Sequence, residues 1–177
     1  VLEERPGDWG QDLPYAEQVT ELASDLAGRT VDQLGITSSP TLVVERFLDL
    51  LRGGDVDEAV GLLAVDVKYE NVGLPTVHGR ERVRRLFRGM SGGGGGFDVY
   101  IHTISADGSS VLTERTDILK FRQLRVQLWV CGRFDVRDGQ IVLWRDYFDY
   151  VNFTAAMLRG MLGIHLPRLR AKPPAAA

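Results

Sequence analysis

The chain has 177 residues, 44% of them hydrophobic and 25% charged, which is the size of one domain with one apolar core. A formal charge of −3 argues against nucleic acid as the main partner, because phosphate binding rests on a basic excess. No apolar run approaches the roughly 20 residues of a membrane span, residues 1–11 lack the basic head and apolar middle of a signal peptide, and the single Cys131 excludes a disulfide framework or cysteine zinc site within one chain.

These bounds lead to the expectation of a soluble, cytoplasmic globular domain. Along the chain, Val19, Leu22, Leu26 and Ala27, followed by Val31 and Leu34, recur at helical spacing within residues 13–34. Residues 1–38 are expected to form a helical extension without a catalytic role. Ser39-Pro40 predicts the N-cap and first position of a helix that Gly53-Gly54 closes. Asp55 and Glu58 have the spacing of a capping box, predicting a short helix that ends near Ala64. After Asp66 the period changes to two, with Val67, Tyr69 and Asn71 on one face of a predicted strand. Gly73 to Pro75 breaks it, and a basic helix follows over about residues 79–90, with Val83, Leu86 and Phe87 as its apolar stripe.

Residues 97–106, 110–121, 124–137 and 140–150 read as strands, and Asp107-Gly108 and Asp138-Gly139 are two-residue hairpin signals. A last amphipathic helix is predicted over 152–164, and residues 171–177 are expected to form a disordered tail. Helices followed by an antiparallel meander make an α+β plan. A curved sheet wrapped around helices encloses a cone that can hold a ligand.

Residues of one strand two apart share a face. Thr113, Arg115, Asp117 and Leu119 therefore point together, as do Trp144, Asp146 and Phe148, and also Tyr69 and Asn71. An Arg and an Asp so placed are most often a solvated ion pair. Inside an apolar cone they become, with Asp146, two carboxylates and a guanidinium.

The motifs Tyr69-Glu70-Asn71-Val72, Thr113-Glu114-Arg115-Thr116-Asp117 and Trp144-Arg145-Asp146-Tyr147-Phe148-Asp149 together resemble the limonene-1,2-epoxide hydrolase family. That family belongs to the cone-shaped domains similar to nuclear transport factor 2. The resemblance spans residues 40–170 and looks closest to mycobacterial members, and the domain is expected over 39–170. It implies Asp117 as general acid, Asp146 as general base and Arg115 as the bridge between them. It also implies that Tyr69 and Asn71 hold the attacking water with Asp146. The implied lining is Leu48, Leu51, Leu119, Leu128, Val130, Trp144 and Phe153. The implied reaction takes a lipophilic epoxide and water to a vicinal diol without a cofactor, and the implied assembly is a homodimer.

The chemistry of the residues supports that reading. Two nearby carboxylates in an apolar cavity hold one proton between them, so one can donate while the other accepts. Arg115 stays charged throughout.

Other motifs carry less. His78, His102 and His165 lack metal-ligand spacing, and Gly-x-Ser-x-Gly is absent, which excludes a serine hydrolase of the alternating β/α type. The pentaglycine Gly92–Gly96 follows a helix and leads into a strand, the reverse of a phosphate loop, and is read as a flexible turn. Cys131 is read as an inert packed thiol, and the arginines of residues 80–88 as a solvated face. Two alternatives stand beside the hydrolase: an epoxide-opening cyclase of the same fold, and a non-catalytic lipid-binding pocket protein.

Overall fold

A computed structural model of the chain describes residues 39–172 and 174. The predicted N-terminal extension and its helix lie outside the described residues, as does most of the predicted tail. The described residues belong to one compact unit, Ser38–Ala177.

Helix α1 (Pro40–Gly53) starts where Ser39-Pro40 predicts and ends at Gly54 in the left-handed conformation. Its apolar stripe buries Val43, Val44, Phe47, Leu48 and Leu51. Helix α2 (Val56–Gly61) is shorter than expected, and Asp55 makes no side-chain cap, so the predicted capping box is not formed. The apolar run after Gly61 enters the sheet instead. Strand β1 (Leu63–Asn71) begins before the position at which its alternation becomes legible, and buries Leu63, Val67 and Tyr69. A two-residue strand, β2 (Val77–His78), was not foreseen and pairs antiparallel with β1.

Helix α3 (Arg80–Ser91) buries Val83 and Phe87. Its basic face is more than solvated, because Arg84 and Arg88 both pair with Asp57 of α2. Gly92–Gly94 form a short 3-10 turn, and Gly95 already opens β3 (Gly95–Asp107). Strands β4 (Ser110–Phe121), β5 (Leu124–Arg137) and β6 (Gln140–Tyr147) follow as the Asp-Gly signals predict. Asp138 and Gly139 both take positive φ, 50° and 71°, as such tight turns require. Helix α4 (Tyr150–His165) is capped by Asp149, whose carboxylate accepts from the Asn152 backbone N–H at 2.7 Å.

The sheet order is β2-β1-β6-β5-β4-β3. Strands β3 to β6 form an antiparallel meander, and β1 joins it parallel to β6. That closure creates the cone. It sets Tyr69 beside Trp144 and Asn71 beside Asp146, although the paired residues are 75 positions apart in sequence. One apolar cluster joins α1 and α3 to the inner face through Phe47, Phe87, Phe134 and Trp144. A second joins α4 to Val126, Leu128 and Val130 of β5.

Candidate active site

Three strands each contribute a pair of residues two apart on the inner face: Tyr69 and Asn71 from β1, Arg115 and Asp117 from β4, and Trp144 and Asp146 from β6. Arg115 is 0% exposed, and Asp117 and Asp146 are 4% exposed. Arg115 Nε donates to both oxygens of Asp117 at 3.0 and 3.2 Å, and its Nη2 donates to Asp146 Oδ1 at 2.6 Å. Its Nη1 donates to Thr113 Oγ1 at 3.1 Å, and the guanidinium lies 5.7 Å from the centroid of the Phe134 ring. Trp144 Nε1 donates a second bond to Asp146 Oδ1 at 2.9 Å. A buried guanidinium is tolerated here because each face of its fork is matched by an acceptor.

Burial pushes the Asp117 carboxyl up to about 6, with the neighbouring Asp146 adding to the rise and the Arg115 charge opposing it. Asp117 therefore holds a proton to higher pH than an exposed aspartate. The Tyr69 hydroxyl is raised above its ordinary value, first by burial and then by the Asp146 charge, while Asn71 acts in the opposite sense. It stays a neutral donor. Burial opposes the charge on Arg115, but the two aspartates outweigh it and the guanidinium remains a cation.

Tyr69, Asn71, Asp117 and Asp146 line a cavity of about 320 Å³, and the fully buried Arg115 is bonded to the two aspartates. Trp144, Leu128 and Val130 form buried wall, with Leu119 and Phe153 beside them. Leu74, Leu86 and Tyr150 line the same space and are exposed, which makes them its rim. Tyr150 fixes that rim by donating from its hydroxyl to the Val72 carbonyl at 2.6 Å.

The expected constellation of Tyr69, Asn71, Arg115, Asp117 and Asp146 is thus brought together. The expected lining is met at Leu119, Leu128, Val130, Trp144 and Phe153. Leu48 and Leu51 do not reach the cavity, being packed in the core 1% and 3% exposed. Helical spacing marks them as inward-facing, and the inward direction of α1 leads to Phe134 and Trp144 rather than to open space. Of α4, Phe153 lines the cavity, whereas Leu158, Met161 and Leu162 lie outside it and are exposed. Phe87, Met90, Phe97 and Phe148 line it without having been foreseen, although the apolar stripe of α3 already contained the first of them.

Elsewhere among the described residues, no cluster of His, Cys, Asp and Glu has the arrangement of a metal site, and His102 instead bonds Thr116 Oγ1 at 2.9 Å. No described helix is long and apolar enough to cross a membrane.

The chain is thus a cone-shaped α+β domain in which one buried guanidinium joins two buried aspartates. Residues 38–159 match the limonene-1,2-epoxide hydrolase catalytic domain. The chain is 49% identical over 128 residues to the epoxide hydrolase EphG of Mycobacterium tuberculosis, covering 72% of this chain and 85% of that protein. A solved epoxide hydrolase of M. tuberculosis, described as like the limonene-1,2-epoxide hydrolases, superposes with a TM-score of 0.72 at 47% identity over 76% of this chain and 95% of that one. A structure from Cytophaga hutchinsonii described as like nuclear transport factor 2 shares the fold alone, with a TM-score of 0.54 and 17% identity over 63% of this chain and 90% of that one. The chain belongs to the limonene-1,2-epoxide hydrolase family. It is an epoxide hydrolase on the cone fold.

Proposed function

We propose that this enzyme adds water to a lipophilic epoxide in one step, giving a vicinal diol with no covalent intermediate. The observation that carries this reading is Arg115, bonded at once to Asp117 and Asp146, which both line an apolar cavity. Asp117, whose carboxyl burial pushes up to about 6, donates its proton to the epoxide oxygen as the C–O bond breaks. Asp146 takes a proton from the water as the water oxygen bonds to carbon. Oδ1 of Asp146 already accepts from Arg115 and Trp144, whereas Oδ2 takes no hydrogen bond from a described residue. That oxygen is the one for the water, which Tyr69 and Asn71 help to hold.

One turnover moves the proton from Asp117 to Asp146. The negative charge moves the opposite way, and Arg115 adjoins it at both ends, so the buried charge of the three side chains is zero before and after. The resting state returns when Asp146 passes its proton back to Asp117 by way of solvent. The scheme calls on no cofactor.

The cavity volume of about 320 Å³ lies at the low end for drug-sized ligands. A substrate bulkier than a monoterpene extends through the rim at Leu74, Leu86 and Tyr150. Single turnover in oxygen-labelled water, with enzyme in excess, tests the mechanism. Direct attack labels the diol in that turnover. A carboxylate nucleophile would leave the first diol unlabelled, and closure by an internal hydroxyl would give a cyclic ether.

A further inference from the structure

The bridge from Arg115 to Asp146 has to cross a strand. Arg115 lies on β4 opposite Val130 of β5, whereas Asp146 lies on β6 opposite Gly132 of β5. The guanidinium therefore passes over β5 at Gly132, which is buried and faces Thr113 on one side and Asp146 on the other. A methyl group built on Gly132 would fall well inside van der Waals contact with Arg115 Nη1. It would also stand 2.7 Å from Thr113 Oγ1 and 3.1 Å from Phe134 Cε2. The backbone of Gly132 does not itself demand glycine, since it is absent from the glycines of positive φ. What demands it is the side chain lying above. A glycine within a strand marks close approach of another group, and here that group is the charged bridge.

We infer that Gly132 is a positioning residue for the reaction, its missing side chain being the seat of the Arg115 guanidinium. The inference rests on the acid–base reading above. Any larger residue at 132 must push Nη1 aside, and the fork is rigid, so Nη2 and Nε move with it. Their bonds to Asp146 and Asp117 then lengthen together. The acid and the base lose their common partner, while the apolar walls that bind substrate stay in place.

Gly132→Ala is the test, read in three ways beside wild type. Its kcat falls by about 10²-fold, the scale of a displacement near 1 Å, with KM changed little. In nitrogen-15 NMR, the Nε–H resonance identified as that of Arg115 by its loss in Arg115→Lys shifts or disappears. In a cycle with Arg115→Ala, part of the stability that Gly132→Ala loses is recovered, because the Nη1 contact is gone while those to Thr113 and Phe134 remain. A Gly132→Ala protein that fails to fold, yet folds once Arg115→Ala is added, supports the inference equally. Unchanged kcat with an unchanged Arg115 resonance overturns it, and so do losses of stability that simply add across the cycle. If wild type opens no epoxide, the reading of the reaction fails, and the resonance and the cycle still decide whether Gly132 seats the guanidinium.

Discussion

Asp117 loses its proton near 3.8 when exposed and near 6 in the folded protein, where burial opposes its charge. Between those values the native state holds a proton that the unfolded chain has released. Stability therefore falls as pH rises through this window and is level again above it. Values about two pH units apart correspond to on the order of 3 kcal/mol. Asp117→Asn is the neutral near-isostere and carries no such penalty. The stability difference between the variant and wild type should move in the variant's favour by that amount between about pH 4 and about pH 8. Urea denaturation at the two pH values measures it. The same substitution removes the transferable proton, so diol formation should drop by about 10²–10⁴-fold below the carboxyl pair's upper ionisation, with the gap narrowing above it. In wild type, kcat/KM should fall about tenfold per pH unit above the carboxyl pair's upper ionisation. The variant would be sturdier and inert, the usual relation between strained catalytic groups and stability. A stability gap that stays constant with pH, or moves toward wild type, would refute the burial argument for Asp117.

Asp146→Asn should lower the rate by about 10²–10⁴-fold, and Tyr69→Phe by less because Asn71 and Asp146 still hold the water; stopped assays of the diol at saturating epoxide check both. Small charged epoxides should turn over more slowly than lipophilic ones, since the charged residues described in the lining, Asp117 and Asp146, are already paired with Arg115; a faster rate for the charged set would refute the assignment. The chain should form a homodimer, because Trp129 on the outer sheet face is 57% exposed and a large aromatic favours cover; light scattering at tens of micromolar, about the range of weak dimers, checks it, with a monomer alone counting against it.

Much of this architecture is legible in the sequence because its strands are punctuated locally. The Asp-Gly turns fix where β3 meets β4 and β5 meets β6, and alternation then assigns Arg115, Asp117, Trp144 and Asp146 to faces. What alternation leaves open is depth and partnership. Leu48 and Leu51 face inward as their spacing says, yet Phe47, Phe134 and Trp144 fill the space before they can reach the cavity. The parallel pairing of β1 with β6 joins distant segments, and no local signal announces it. The start of β1 is hidden because Leu62, Leu63 and Ala64 continue an apolar run that suits a helix as well as a strand. Gly132 did carry a signal, being a glycine in mid-strand among Val130, Cys131 and Phe134. The reason for it emerges only from the register of three strands.

The site's geometry follows from one repeated device. Each of β1, β4 and β6 presents two functional groups two residues apart, so the strand's pleat sets the spacing within a pair and sheet pairing sets the spacing between pairs. Trp144 can donate to Asp146 at 2.9 Å because it precedes it by two on the same face, and Arg115 reaches Asp117 in the same way. A slip of one residue in any of these strands would turn both of its groups outward together. A slip of β4 would carry Arg115 and Asp117 away together, and a slip of β6 would carry Trp144 and Asp146. What joins the two aspartates across β5 is the guanidinium of Arg115. Burial encloses that connection, and burial is also what raises the Asp117 carboxyl above an exposed aspartate. The burial that makes these three groups costly to enclose is thus, in the proposed reaction, what lets Asp117 serve as the acid.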